Sequence, residues 1–250
     1  HTAALAEAGP GEVPAHAAAP AVPAAPAARG RYHHGDLPRA LIDATLALVA
    51  EEGIGGVTLR EASRRAGVSP SAPYRHFPHK RALLAAVAEE GYHRLHDALA
   101  ASLAPEAEQD AMLAALDPLQ RLGLAYVRFA LAHPTHFRVM FSPDVSDRRD
   151  FPGLAAADAA AYALLLDAVR AAQAVGAYLP GDPQLVALAP WAIVHGLAVL
   201  AIDGHLARPG APSGDPLALA RAVLTLAPPD PAAGPPPRPP RPRRRGSSPR

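Results

Sequence analysis

Cysteine is absent from this 250-residue chain, which removes disulfides, thiolate zinc sites and cysteine nucleophiles and suits a reducing compartment. No uninterrupted stretch approaches the ~20 apolar residues of a membrane helix, and the Ala/Pro-rich start lacks a basic segment followed by a hydrophobic one, so neither a span nor a signal peptide is expected. No segment alternates apolar and polar residues as a half-buried strand does, which leaves an all-α fold. A phosphate-cradling glycine loop and a nucleophile elbow are also missing. These absences point to a soluble, cytoplasmic, non-enzymatic protein without a cofactor. Since the chain begins with His1 and not methionine, its natural start is expected to be missing or altered.

What is present is organised by charge and by proline. The formal net charge is only +1, yet residues 29–81 hold nine Lys or Arg against five Asp or Glu, and residues 82–226 hold nine against fifteen. A compact basic segment suits a phosphate backbone, where each neutralised phosphate releases counterions. Residues 1–28 are mostly Ala, Pro and Gly and residues 228–250 mostly Pro and Arg, so both are expected to stay unfolded. Arg29 and Arg31 form a basic arm suited to a minor groove or to solvent.

The basic segment reads as a helix-turn-helix. A first helix is expected from Leu37, capped by Asp36, to Glu52, with Gly53 as its stop and Leu37, Leu41, Ala44, Leu48 and Val49 as its buried stripe. Thr58 and Glu61 have capping-box spacing for a second helix that buries Leu59, Ala62 and Ala66, turns Arg60, Arg64 and Arg65 outward and stops at Gly67. Ser69 followed by Pro70 then signals a third helix about three residues later. From Lys80 a long helix is expected to about Leu103, and further ones over 117–132, 134–141, 153–175, 183–206 and 215–226, punctuated by Pro105, Pro134, Pro152, Pro183 and Pro216.

The run A-G-V-S-P-S-A-P-Y-R-H-F-P-H-K-R-A-L-L, with Tyr74, His76, Phe77 and Lys80 at fixed spacing, resembles the DNA-binding domain of the tetracycline-repressor (TetR) family. W-A-I-V-H-G-L-A-V-L at 191–200 resembles the Trp-His-Gly motif of one TetR subgroup. Pro73 departs from the pattern, because the family usually carries an aliphatic residue there. The resemblance implies a DNA-binding domain over 35–81 and a helical ligand-sensing and dimerisation domain over 82–227. It also implies a homodimer built on the last two helices that binds a double-stranded operator and responds to a small molecule, most simply as a repressor. By the same resemblance Thr58, Tyr74, His76 and Lys80 hold phosphates and Ser71, Ala72 and Arg75 face bases, behind the Ser69 cap.

The alanine-rich interior holds few large residues: Tyr92, Tyr126, Phe129, Phe137, Met140, Phe141, Tyr162 and Trp191. Core packing accounts for any one of them. Trp191 and His195 stand one helical turn apart and share a face. The candidate ligand contacts are Tyr92, Tyr126, Phe129, Tyr162, Trp191 and His195. Gly196, Ala192, Ala198 and Ala201 offer a surface for close helix approach. His93 and His96 with Asp97, and His133 with His136, have spacings that suit metal ligands, but no second ligand set is assignable and no metal is expected. Two other functions stay open: an architectural nucleic-acid binder using the arginine-rich tail, and a metal-dependent enzyme.

Overall fold

The computed structural model describes residues 36–106, 110–207 and 215–226. Both expected unfolded tails and the arm at Arg29 and Arg31 lie outside the described residues. Among those described there are eight α-helices and no strand: α1 (Leu37–Glu52), α2 (Leu59–Ala66), α3 (Lys80–Leu103), α4 (Pro118–Ala132), α5 (Pro134–Met140), α6 (Pro152–Ala174), α7 (Pro183–Ile202) and α8 (Pro216–Leu224).

Local chemistry accounts for most boundaries. The Asp36 carboxylate accepts the Arg39 amide at 3.0 Å and starts α1. Asp117 and Gln120 complete a reciprocal capping box at α4. The five helices from α4 to α8 open with proline at the first position, where a missing amide costs nothing because it would have no intrahelical acceptor. Gly67 ends α2 at φ 70°, a conformation that a side chain would strain.

Several expectations change. Of the box at α2 only half forms: Thr58 Oγ1 accepts the Glu61 amide at 3.0 Å, while the Glu61 carboxylate is taken by Arg64 and Arg65. Arg65 is turned back toward Glu51 and Glu52 of α1, so it is half-buried. The third helix is not an α-helix. Residues 70–71 form a turn and Ala72–Arg75 a single 3-10 turn, because Pro70 and Pro73 disfavour helical geometry in the residues before them and Pro73 lacks an amide. Its carbonyl instead accepts the amides of His76 and Phe77, and Ser69 Oγ lies 3.3 Å from Ser71 Oγ without capping a helix. The helix expected over 183–206 ends at Ile202, followed by a 3-10 turn at His205–Ala207.

Helix α3 is the axis of the body, with α4, α5 and α6 packed around it; α7 packs against α4 and α6, and α8 against α4. The close approach of α5 to α3 depends on Gly91: a Cβ there would lie 2.6 Å from Met140 Sδ, and Met140 is itself buried. Against the expectation of no membrane-length apolar stretch, α6 and α7 are long and apolar enough to cross a bilayer by length and composition. Yet Asp158, Asp167 and Arg170 interrupt α6, and Pro190 and His195 interrupt α7. What distinguishes the two helices is how little of them the described chain covers.

Candidate DNA-binding face and effector site

The residues expected to meet DNA lie in and beside one exposed turn. Phe77 and Pro73 anchor it by burial. Around them Ser69, Ser71, Tyr74, Arg75 and His76 are exposed, Tyr74 to 57%, and Ala72 is half-buried. Thr58 is exposed at the start of α2. The Lys80 ammonium donates to the Ile54 carbonyl at 2.8 Å, which uses one of its three protons and holds it beside the turn.

The structure also thins out the basic segment. Arg39 pairs with Asp43 and Glu90 of α3. Arg65 pairs with three glutamates. Arg81 donates to the carbonyls of Asp144 and Asp147 and lies over the Phe151 ring. Arg60 and Arg75 are exposed and have no ion-pair partner among the described residues. In this segment the structure adds a cap that the sequence reading lacks: His79 Nδ1 accepts the Ala82 amide at 3.1 Å and starts α3. Histidine is not a usual cap residue, and only its proximity to the exposed turn marks it out.

In the body, five of the six candidate ligand contacts belong to one aromatic cluster. The Tyr126 hydroxyl and His195 Nδ1 are hydrogen-bonded at 2.9 Å. Trp191 lies 6.2 Å from the His195 ring and 6.0 Å from Tyr162. Phe137 stacks on His195 at 5.3 Å, and Phe141 meets it edge-on at 4.5 Å. Tyr92 joins through Phe141 at 6.0 Å and receives a hydrogen bond from Arg148, which is paired with Asp158. The sixth, Phe129, has its ring against His133 at 5.1 Å. Phe137 and Phe141 were legible as interior residues, but nothing in their spacing pointed to His195. A recess of about 390 Å³ lies apart from this cluster, lined by Ala111, Met112, Ala218, Arg221, Ala222 and Thr225.

Burial sets the charge state of the cluster. It holds the His195 imidazole below its ordinary value and raises the Tyr126 phenol. His136 and His133 are also lowered by burial, for His136 against the pull of Glu90. A histidine whose folded pKa is depressed binds fewer protons folded than unfolded, so it opposes folding as pH falls below its unfolded value. Lowering the pH from about 7.5 to about 5.5 is therefore expected to lower the melting temperature, with His136→Gln and His195→Leu flattening the dependence. A melting temperature that held steady or rose would contradict this burial argument.

The histidine pairs weighed as metal ligands do not converge. His93 lies 4.0 Å from Glu89, His96 is beside Asp97, and His133 and His136 meet edge-to-face across the start of α5. Among the described residues no three His, Cys, Asp or Glu side chains gather.

With this geometry in place, residues 41–87 match the family model described as bacterial regulatory proteins, tetR family, and residues 119–226 match the Tetracyclin repressor-like, C-terminal domain. The chain belongs to the TetR family. It is 31% identical over 97 residues to the uncharacterized HTH-type transcriptional regulator YobS of Bacillus subtilis, a match that covers 39% of this chain and 47% of that protein. The chain thus spans about half the length of that relative. A solved structure of a protein of unknown function from Rhodococcus sp. RHA1 is 34% identical, with a TM-score of 0.60, 78% of this chain and 96% of that one being covered. A tetR-family regulatory protein from Rhodococcus RHA1, 23% identical, shares the fold at a TM-score of 0.54 over 75% of this chain and 92% of its own. In this TetR-family chain the exposed turn at 69–80 falls in the N-terminal match, and the Trp191–His195 pair in the C-terminal one.

The outer face of α7 is the remaining feature of the C-terminal match. Leu185, Leu188, Ile193, Val199 and Leu200 are exposed along it. Gly196 lies among them, and a Cβ built there would meet nothing within 4 Å. Ala192 is exposed and Ala201 half-buried, whereas Ala198, expected on the approach surface, is fully buried in the core of the described chain.

Proposed function

We propose that this protein is a homodimeric transcriptional repressor that reads a palindromic operator in double-stranded DNA and is released by a small molecule. The observation that carries this reading is the exposed Ser71–His76 turn, anchored by Pro73 and Phe77, in which Arg75, like Arg60 of α2, is exposed without an ion-pair partner among the described residues. Thr58, Tyr74, His76 and Lys80 hold phosphates, and Ser71, Ala72 and Arg75 face base edges, with Ser69 at the start of the turn. The 3-10 turn is short, so few bases per half-site are read directly. Two half-sites about 34–36 Å apart require a twofold dimer, and the uncovered apolar face of α7 supplies the surface for a second copy.

The effector site is the cluster of Tyr92, Tyr126, Tyr162, Trp191 and His195, with Phe129 at its margin. Apolar walls with a few polar groups are usual for small-molecule sites, and a coupling of about 1–3 kcal/mol between effector and operator changes affinity by about 5–150-fold. The protein works in the cytoplasm, with no membrane partner.

Selection from a random DNA pool tests the reading, and a palindrome is the expected result. On the selected operator Lys80→Ala weakens operator and random DNA by similar factors and lowers the salt slope, since phosphate contacts position without reading. Arg75→Ala instead relaxes preference at one position per half-site, by about 1–3 kcal/mol. A pool without enrichment would reject operator recognition and favour an architectural binder.

A further inference from the structure

Glu90 lies on α3 beside Gly91, where α5 crosses most closely. Its carboxylate is met from three helices. Oε2 accepts from Arg39 Nη1 of α1 at 2.6 Å. Oε1 accepts from Arg94 Nε of α3 at 2.9 Å and lies 3.3 Å from His136 Nε2 of α5. The last approach has no aligned hydrogen bond, and it becomes an ion pair only when His136 is protonated, which its burial opposes. The side chains of Glu90 and His136 are 18% and 8% exposed, so solvent screens the cluster less than it does a surface pair.

Two connections run outward from this carboxylate. Helix α1 shares its core with α2 and with the exposed turn, so its tilt is carried to the DNA-facing residues. Helix α5 is seven residues long, and Phe137, next to His136, stacks on His195 and meets Tyr126 edge-on at 5.8 Å. Adjacent residues of α5 therefore approach Glu90 and touch the aromatic cluster.

We propose that Glu90 is a positioning residue for DNA binding, pinning α1 to the body through Arg39. The proposal rests on the operator-reading function above. A pin that sets the pose of α1 affects specific binding, which needs both half-sites in register, far more than binding to random duplex, which tolerates many poses.

The test uses the full chain, the operator enriched from the random pool and a scrambled duplex of equal length. Glu90→Gln keeps the side-chain volume and removes the charge. Operator affinity is expected to fall about tenfold, with affinity for scrambled DNA unchanged within about twofold because no phosphate contact is lost. Arg39→Gln approaches the pair from its more exposed side and is expected to act alike, and the double variant is expected to add nothing further, as in a coupled pair. Faster hydrogen exchange across α1 in Glu90→Gln is the companion result expected without DNA. An unchanged ratio of operator to scrambled affinity in both single variants would overturn the proposal, as would an equal loss on both duplexes. If the pool yields no enriched sequence, the operator reading itself fails and the proposal falls with it.

Discussion

Replacing Leu188 and Ile193 together by aspartate is expected to give a folded monomer that has lost tight operator binding. The two side chains are 46% and 48% exposed on α7, so the substitution leaves the subunit core intact. In a dimer built on this face the new carboxylates would be buried without partners, at a cost of several kcal/mol per ion. A monomer contacts one half-site and forfeits the gain from linking two, so operator affinity is expected to fall by about 10²–10⁴-fold. Light scattering at micromolar concentration and a titration against the selected operator check both halves of this expectation. A variant that stays dimeric would place the interface elsewhere. One that becomes monomeric yet binds as before would break the link between dimerisation and operator recognition.

Phe137→Ala is expected to be among the most destabilising single changes in the body. Phe137 is 3% exposed and sits between the rings of Tyr126, Phe141 and His195. Its removal costs both the transfer energy of a buried aromatic side chain and the cavity left behind, about 3–5 kcal/mol. That corresponds to a fall in melting temperature of roughly 6–20 °C for a chain of this size. Thermal unfolding measures it directly. A loss below about 1 kcal/mol would mean that the neighbouring rings close over the gap or that water already reaches it, and the cluster would then be looser than its ring distances indicate.

The boundaries of α1 and α2 and the starts of α4 to α8 were readable because their signals act within one turn. Asp36 caps its own helix, Gly53 and Gly67 adopt positive φ where helices stop, and the N-terminal prolines sit where no amide is missed. The family resemblance was carried by Tyr74, His76, Phe77 and Lys80, which lie together in one local segment. The same locality explains two departures. Pro73 changed the expected third helix to a 3-10 turn through its own missing amide, and Glu61 bonded to Arg64 and Arg65 on its own helix instead of closing the box.

The sequence by itself thus determined the helical class, the order of elements, the exposed turn that follows α2 and the aromatic residues available to the interior. Which of those residues meet was decided only by tertiary packing. Tyr126 and His195 are 69 positions apart and Arg39 and Glu90 are 51 apart, yet each pair is within hydrogen-bonding distance. Phe129, chosen with the others from sequence, turns to His133 instead. The reason is physical: caps and helix stops depend on neighbours within four residues, whereas the partner of a side chain across the core depends on the angle and depth at which whole helices pack. That geometry is set by features such as the missing Cβ of Gly91, which lets α5 close on α3 and so carries His136 to Glu90 and Phe137 to His195.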